Sequence, residues 1–409
     1  MQNIALLKNT IQEYAWGSPK AIPGLLGQSN PGNKPQAELW MGAHPKAPSQ
    51  VQYQGQWVSL LDLIRKHPLD VLGKNAAKNF NNKLPYLFKV LAAAKPLSIQ
   101  AHPNLHQARE GFQRENAQKI PMDAPQRNYR DAHHKPECIC ALTQFWALCR
   151  FRRISGILSY LEKVCVHGLD AEIKNLKQQA TSDGLKRFYT ALMTMDTDRQ
   201  ERIVSQALEQ ARRFEAEDPV FNWMLKIAAD YPNDIGVLAP ILLNLICLEP
   251  GQALFIDAGE LHAYLDGLGI ELMANSDNVL RGGLTPKHVD VPELLRVLKF
   301  EDRDVTLLKP QELIANEFVY PSPVEEFELS VITLNSGAQY QSPAQRSVEI
   351  LICTRGIATL TDYGSQTETR LQQGVSALIP AAVERYAIRG EGTCYKAAVP
   401  TQTGFTQFG

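Results

Sequence analysis

One pattern occurs twice in this chain, and it dictates the architecture. Gly251, five residues, Asp257-x-Gly259, two residues and His262 return as Gly374, Pro380-x-Ala382 and Arg385, every position displaced by 123. Each copy reads as a turn glycine, a strand, a turn at Asp or Pro, and a second strand that begins on an inward side chain. The flanks share one texture. FELSVITL, SVEILICTRGIATL and VSALIPAAVERYAI are β-branched-rich runs separated by Gly, Ser and Asp, the spacing of an all-β sandwich or barrel.

The repeat resembles the second signature of the cupin jelly roll, whose last position is a metal-binding histidine. Only the first copy keeps it, at His262. Between the N-terminal zone and this region the period changes. ISGILSYLEKV places Ile154, Ile157, Leu158 and Leu161 on one helical stripe, and Ile203, Ala207, Ala211 and Phe214 form another. Asp218-Pro219 supplies an N-cap and a first-turn proline for a further helix. The expected class is therefore mainly β with a helical insert.

The chain has 409 residues, a length for two or three domains. Its 42 Lys+Arg nearly cancel 43 Asp+Glu, and with no basic block a bulk nucleic-acid binder is excluded. Seven scattered cysteines, an odd number with no CxxC pair, are the usage of a reducing cytosol. Cys138 and Cys140 share one strand face and read as buried small hydrophobes. The run Ile4 to Leu7 is shorter than a signal-peptide core. The apolar stretch from Ile235 to Leu248 is broken by Gly236, Pro240 and Asn244 and falls short of a membrane span. The expectation is a cytoplasmic protein with no membrane contact, compatible with a monomer.

Four residues offer metal ligands. Gln100 and His102 are two apart in SIQAHP and so share a strand face; Glu137 stands in HHKPEC; His262 ends the repeat signature. An amide oxygen, two imidazoles and a carboxylate suit a catalytic Zn²⁺, and the histidines and carboxylate also suit non-haem Fe(II). A second cluster follows in GIELMANSDNVLRGGLTPKHVD, where Glu271, Asn275, Asp277, Asn278 and Arg281 crowd together. Gly282-Gly283 lets backbone approach a ligand, and Arg281 and Lys287 could clamp an anion. Trp16 and Trp40 lie beside these polar clusters and could wall a sugar ring. In His133-His134-Lys135, acid–base groups adjoin Glu137, and on an alternating strand only one of the two histidines faces the site.

YAWGS, QAELWMGAHP, KPLSIQAHP, YRDAHHKPE, AGELHAYLDG and MANSDNVLRGGLTPKHVD, in this order, resemble the type I phosphomannose isomerases. The resemblance implies a zinc enzyme that interconverts mannose 6-phosphate and fructose 6-phosphate, with one Zn²⁺ per chain on Gln100, His102, Glu137 and His262. It maps the family's active-site arginine onto Arg281. Site neighbours map onto Trp16, Ser98, Lys135, Tyr264, Glu271, Asp277 and Lys287. It further implies two cupin-like jelly rolls plus an α-helical domain. The division expected is 1–150 for the first part of the catalytic jelly roll, 151–240 for the helical domain, 241–310 for its second part and 311–409 for a metal-free C-terminal jelly roll.

Moving hydrogen between C1 and C2 of a sugar passes through a cis-enediol and needs a base and an electrophile on the oxygens. Glu271, Asp277 and Lys135 are the candidate bases, and His134 or Lys135 could give the proton that opens the ring. Trp16, Ser98, Tyr264 and Lys287 would hold the phosphorylated hexose, Ser98 and Lys287 at its phosphate. An Fe(II) dioxygenase would have no use for an anion clamp, and a non-catalytic sugar-binding double cupin would not need Arg281 beside a metal. The NVLRGG loop argues against both.

Overall fold

The computed structural model describes residues 3–164 and 167–401; Cys165 lies outside them. Strands among these residues form two antiparallel sheet systems, of eleven and ten strands, and five consecutive helices with no strand between them occupy residues 154 to 230. The expected class, mainly β with a helical insert, is what the chain adopts.

Both copies of the repeat are built alike. Gly251 (φ 87°) and Gly374 (φ 83°) turn the chain into the short strands Ala253–Ile256 and Ser376–Ile379. A turn then leads into the thirteen-residue strands His262–Ala274 and Tyr386–Ala398. A left-handed φ is open to glycine at little cost, which accounts for Gly at both turns. The first long strand pairs with Tyr86–Ala93 and with Glu137–Ala141; the second pairs with Glu349–Asp362. The opening strand Ala5–Lys8 lies between Ser376–Ile379 and Gln50–Tyr53, so the start of the chain is sewn into the C-terminal sheet.

The helical insert follows its sequence pattern. Ile154–Val164 buries Ile154, Ile157, Leu161 and Val164. Thr197–Ala211 buries Ile203, Val204, Ala207 and Ala211, and starts at Asp196, whose side chain accepts from the Arg199 amide. Asp218 caps Pro219–Asp230 by accepting from the Val220 amide at 2.9 Å. These stripes pack on one another and on the sheet through Leu148, Phe151 and Leu261. The stretch from Ile235 to Leu248 is not one helix: it divides into a 3₁₀ turn, a short helix at Pro240 and a strand. No helix among the described residues is long and apolar enough to cross a membrane.

Candidate metal centre and active site

The strand Glu137–Ala141 alternates. Glu137 lies in register with Ile256 on one neighbour and Met273 on the other, while Cys138 and Cys140 pack into the apolar core on the opposite face. Both thiols are free and fully buried, and burial raises their pKa values. Glu137 instead meets two imidazoles. Its Oε1 is 3.3 Å from His102 Nε2 and its Oε2 is 3.4 Å from His262 Nε2. The three residues are buried, with ligand atoms all within 4.8 Å of one another. Gln100 joins them through the ladder, since it pairs with His262 on one side and with Arg281 on the other. Its amide nitrogen donates to Ser98 Oγ at 3.2 Å, leaving the amide oxygen as its ligand atom.

The tautomers of both histidines follow from their second nitrogens. His102 Nδ1 donates to the Asn278 carbonyl at 2.8 Å, and His262 Nδ1 donates to the Glu260 carbonyl at 3.0 Å. The neutral form of each therefore presents a bare Nε2 lone pair. His102 Nε2, wholly buried, has no hydrogen-bond partner among the described residues. Burial, with the charge of Lys135, pulls the His102 pKa to about 4 and keeps the ring neutral. Burial alone would raise the Glu137 pKa, but Lys135 and the two histidines hold it well below the ordinary range. Two imidazoles, a carboxylate and an amide oxygen, with an unpaired nitrogen among them, fit a divalent ion.

Around this group the structure sorts the other expected residues. Lys135 Nζ is 3.0 Å from Glu137. Glu271 is buried 2.8 Å from Lys89, and burial together with Glu137 and Glu38 outweighs Lys89 in raising its pKa. Tyr264 is buried beside it, and burial and the charge of Glu271 raise its pKa well above the usual value. Trp16 packs against the apolar cluster that contains Tyr264. Arg281 is half-buried, and no ion pair is formed by it, by Arg130 or by exposed Lys287 among the described residues. Their mutual repulsion is felt: after burial, Arg130 lowers the Arg281 pKa, and Arg281 and Arg130 lower that of Lys287. Three cations thus share one region with no ion-pair partner among the described residues.

Two expectations change on this geometry. His134 does not join the group around Glu137; its Nε2 is 2.7 Å from Glu326. Lys135 takes the inward position of the extended HHKPE segment, so its neighbour is turned toward residue 326. Asp277 is bound to Lys46 at 2.8 Å and lies 3.6 Å from His44. Burial would raise its pKa, but these partners hold it well below the ordinary value, which makes it a weak base.

Sequence reasoning passed over Lys89, Arg130 and the scaffolding part of Asn278. Lys89 had a readable signal, a lysine inside an otherwise apolar eight-residue strand. Asn278 is fully buried: it accepts from the Arg130 and Asp131 amides and donates to the Asp131 and His133 carbonyls. It thus fastens the RDAHHK segment to the loop that carries the His102 acceptor, the carbonyl of Asn278 itself.

The chain resembles known proteins over most of its length. The description "phosphomannose isomerase type I, catalytic domain" matches residues 4–154, its helical insertion domain matches 161–243 and its C-terminal region matches 319–362. Mannose-6-phosphate isomerase of Escherichia coli K12 is 43% identical over 388 residues, covering 94% of this chain and 97% of that protein. The chain belongs to the type I phosphomannose isomerase family. The human mannose-6-phosphate isomerase is 35% identical over 405 residues, covering 90% of this chain and 91% of its own. A crystal structure of a phosphomannose isomerase variant from Salmonella typhimurium superimposes with a TM-score of 0.91 at 40% identity, over 97% of this chain and 99% of that one. A zinc-bound mannose 6-phosphate isomerase structure superimposes with a TM-score of 0.89 at 40% identity and the same coverage. Among the described residues, the helical insert contributes none to the His102, Glu137 and His262 group.

Proposed function

We propose that this chain is a zinc-dependent mannose-6-phosphate isomerase, an aldose–ketose isomerase that interconverts mannose 6-phosphate and fructose 6-phosphate through a cis-enediol. The observation that carries the reading is the pair of bare Nε2 lone pairs facing Glu137 beside Gln100, in a chain that shares family and fold with zinc-bound isomerases. Gln100, His102, Glu137 and His262 would hold one Zn²⁺. Bound there, the ion supplies electrophilic polarisation of the sugar oxygens or of a water that orients them.

The chain's own groups divide the remaining work. Lys135 stands 3.0 Å from Glu137, which brings a proton donor to the centre and suits it to opening the ring. Glu271, its pKa raised by burial against the opposing pull of Lys89, is the better base for the C–H proton than Asp277. Tyr264, beside Glu271, offers a buried hydroxyl to a sugar oxygen. Arg130, Arg281 and Lys287 supply three uncompensated positive charges for the phosphate and the developing enediolate. Ser98 lies at the same edge through its contact with Gln100.

A coupled assay tests the whole reading. Fructose 6-phosphate should form from mannose 6-phosphate, stop on strong chelation, and resume on addition of Zn²⁺. His262→Ala should abolish zinc binding and activity while leaving the fold. Full activity in a protein shown by plasma emission to be metal-free would overturn the proposal.

A further inference from the structure

The second β unit contains a buried polar cluster that isomerase chemistry does not use. Lys396, Glu317, Glu349, Arg346, Tyr340 and Tyr386 meet in its interior. The Lys396 ammonium is 2.5 Å from Glu317 Oε1, 3.4 Å from the Tyr340 hydroxyl and 3.6 Å from Glu349 Oε1. Arg346 approaches Glu349 Oε2 at 3.5 Å. Four atoms of the cluster, Glu317 Oε2, Glu349 Oε2, Arg346 Nε and the Tyr386 hydroxyl, have no hydrogen-bond partner among the described residues. Glu317, Glu349 and Tyr386 are at most 1% exposed.

The place of this cluster in the fold is informative. Glu137 pairs with Ile256, the last residue of the short strand in the first repeat copy. Glu349 pairs with Ile379, the last residue of the short strand in the second copy. Glu349 is therefore the topological counterpart of Glu137. Two residues on, Ile139 faces Glu271 across the ladder, and Leu351 faces Lys396. Lys396 therefore stands at the position of Glu271. His262 opens one thirteen-residue strand and Tyr386 opens the other. Gln100 pairs with His262, and Ser342 exchanges hydrogen bonds with Tyr386, its amide donating to the Tyr386 carbonyl and its hydroxyl accepting from the Tyr386 amide.

We infer that the second unit holds a duplicated cation site filled from within: the Lys396 ammonium sits among Glu317, Glu349 and Tyr340 as the divalent ion would sit among the ligands of the first. A buried lysine is normally pushed toward neutrality. Here burial is outweighed by Glu349, Tyr340 and Glu317, which raise its pKa well above the usual value. The charges of Lys396 and Arg346 offset those of Glu317 and Glu349, and burial together with these two carboxylates raises the pKa of the neighbouring Glu328 against the pull of Lys396. The donors left behind when Lys396 is removed are carboxylate and phenol oxygens. Such a set selects a hard divalent cation, Mn²⁺ or Ca²⁺, over zinc.

The experiment uses the full chain in the His262→Ala background, where the first site is disabled. Mn²⁺ is the probe, followed by electron paramagnetic resonance and by the thermal midpoint. With Lys396 present, no Mn²⁺ should bind. With Lys396→Ala added, one Mn²⁺ should bind per chain and the midpoint should rise with Mn²⁺ concentration. A folded Lys396→Ala variant that takes no Mn²⁺ would overturn the inference. A second comparison reads the same point in stability, without metal. Lys396→Met strands two buried carboxylates; Lys396→Met with Glu317→Gln and Glu349→Gln does not. The triple variant should melt higher than the single one, and an equal or lower midpoint would show that the ammonium does not serve as the internal cation.

Discussion

Replacing Lys89 with methionine should cost the metal-free fold about 3–5 kcal/mol near pH 8, the usual penalty for removing one partner of a buried ion pair. The ammonium of Lys89 is buried 2.8 Å from Glu271 and 3.7 Å from Glu38, and Glu38 also accepts from Trp40 Nε1 at 2.6 Å. At an effective dielectric of about 20, the two attractions amount to roughly 6 and 4 kcal/mol before desolvation. Burying three ions offsets much of that gross sum, which leaves the net figure above. Methionine fills similar volume, so little of the loss is packing.

The loss should also depend on pH, and its sign can be worked out. Glu271 already has a raised pKa from burial, Glu137 and Glu38, with Lys89 the main influence holding it down. Without Lys89, the folded variant keeps a proton on Glu271 at pH values where the unfolded carboxyl, near 4.3, has lost it. A folded state that binds more protons gains stability as pH falls, by at most about 1.4 kcal/mol per unit for one proton. Urea unfolding followed by circular dichroism at pH 8 and pH 5.5, on variant and parent without metal, checks this. The stability gap should narrow at the lower pH, and Lys89→Met/Glu271→Gln should recover part of it at pH 8. A gap of equal size at both pH values, with no recovery in the double variant, would refute the ionic account.

Four further outcomes are expected. His102 should make the metal-free protein acid-labile. Its folded pKa of about 4 lies below the unfolded value near 6.5, so the unfolded chain binds more protons in that window and stability falls as pH drops through it. The fall is on the order of 3 kcal/mol, and thermal midpoints equal at pH 7 and pH 5 would exclude it. Asn278→Ala should weaken zinc binding about 10–100-fold in a competition titration, because it loosens the segment whose carbonyl orients His102. Asp218→Ala should cost about 1–2 kcal/mol in urea unfolding, since it removes a helix N-cap and the acceptor of the Tyr160 hydroxyl. Arg281→Ala should lower kcat about 10²-fold with little change in KM, the mark of a transition-state cation; a change confined to KM would assign Arg281 to the phosphate alone.

The metal group was legible because each of its members sits where a short local pattern fixes its direction. Gln100 and His102 are two apart on an extended segment, Glu137 follows a proline at a strand start, and His262 opens a strand after a turn glycine. The helical insert was legible for a similar reason: its stripes and its Asp218-Pro219 start are local signals that survive without knowledge of the partner. What stayed hidden depends on pairing between distant segments. Nothing near Asp277 in sequence announces His44 and Lys46, more than two hundred residues away, yet they decide that its carboxylate is a poor base. His134 and Lys135 look equivalent in HHKPE until Glu326 claims one and Glu137 the other.

The second β unit shows the same limit most sharply. Its repeat can be followed at a constant spacing of 123 through Gly374, Pro380 and Arg385, and there the spacing fails. The long strand opens at Tyr386, and a bulge between Cys353 and Arg355 shifts the register of its partner. Lys396 therefore matches Glu271 through the hydrogen-bond ladder and not through the sequence offset. Reading the chain linearly, Arg385 in place of His262 looks like simple loss of a metal ligand. The ladder shows an exchange: the carboxylate position of Glu271 is held in the second unit by an ammonium. That pairing keeps Glu349, the counterpart of Glu137, charge-compensated in an interior where a bare carboxylate would be costly.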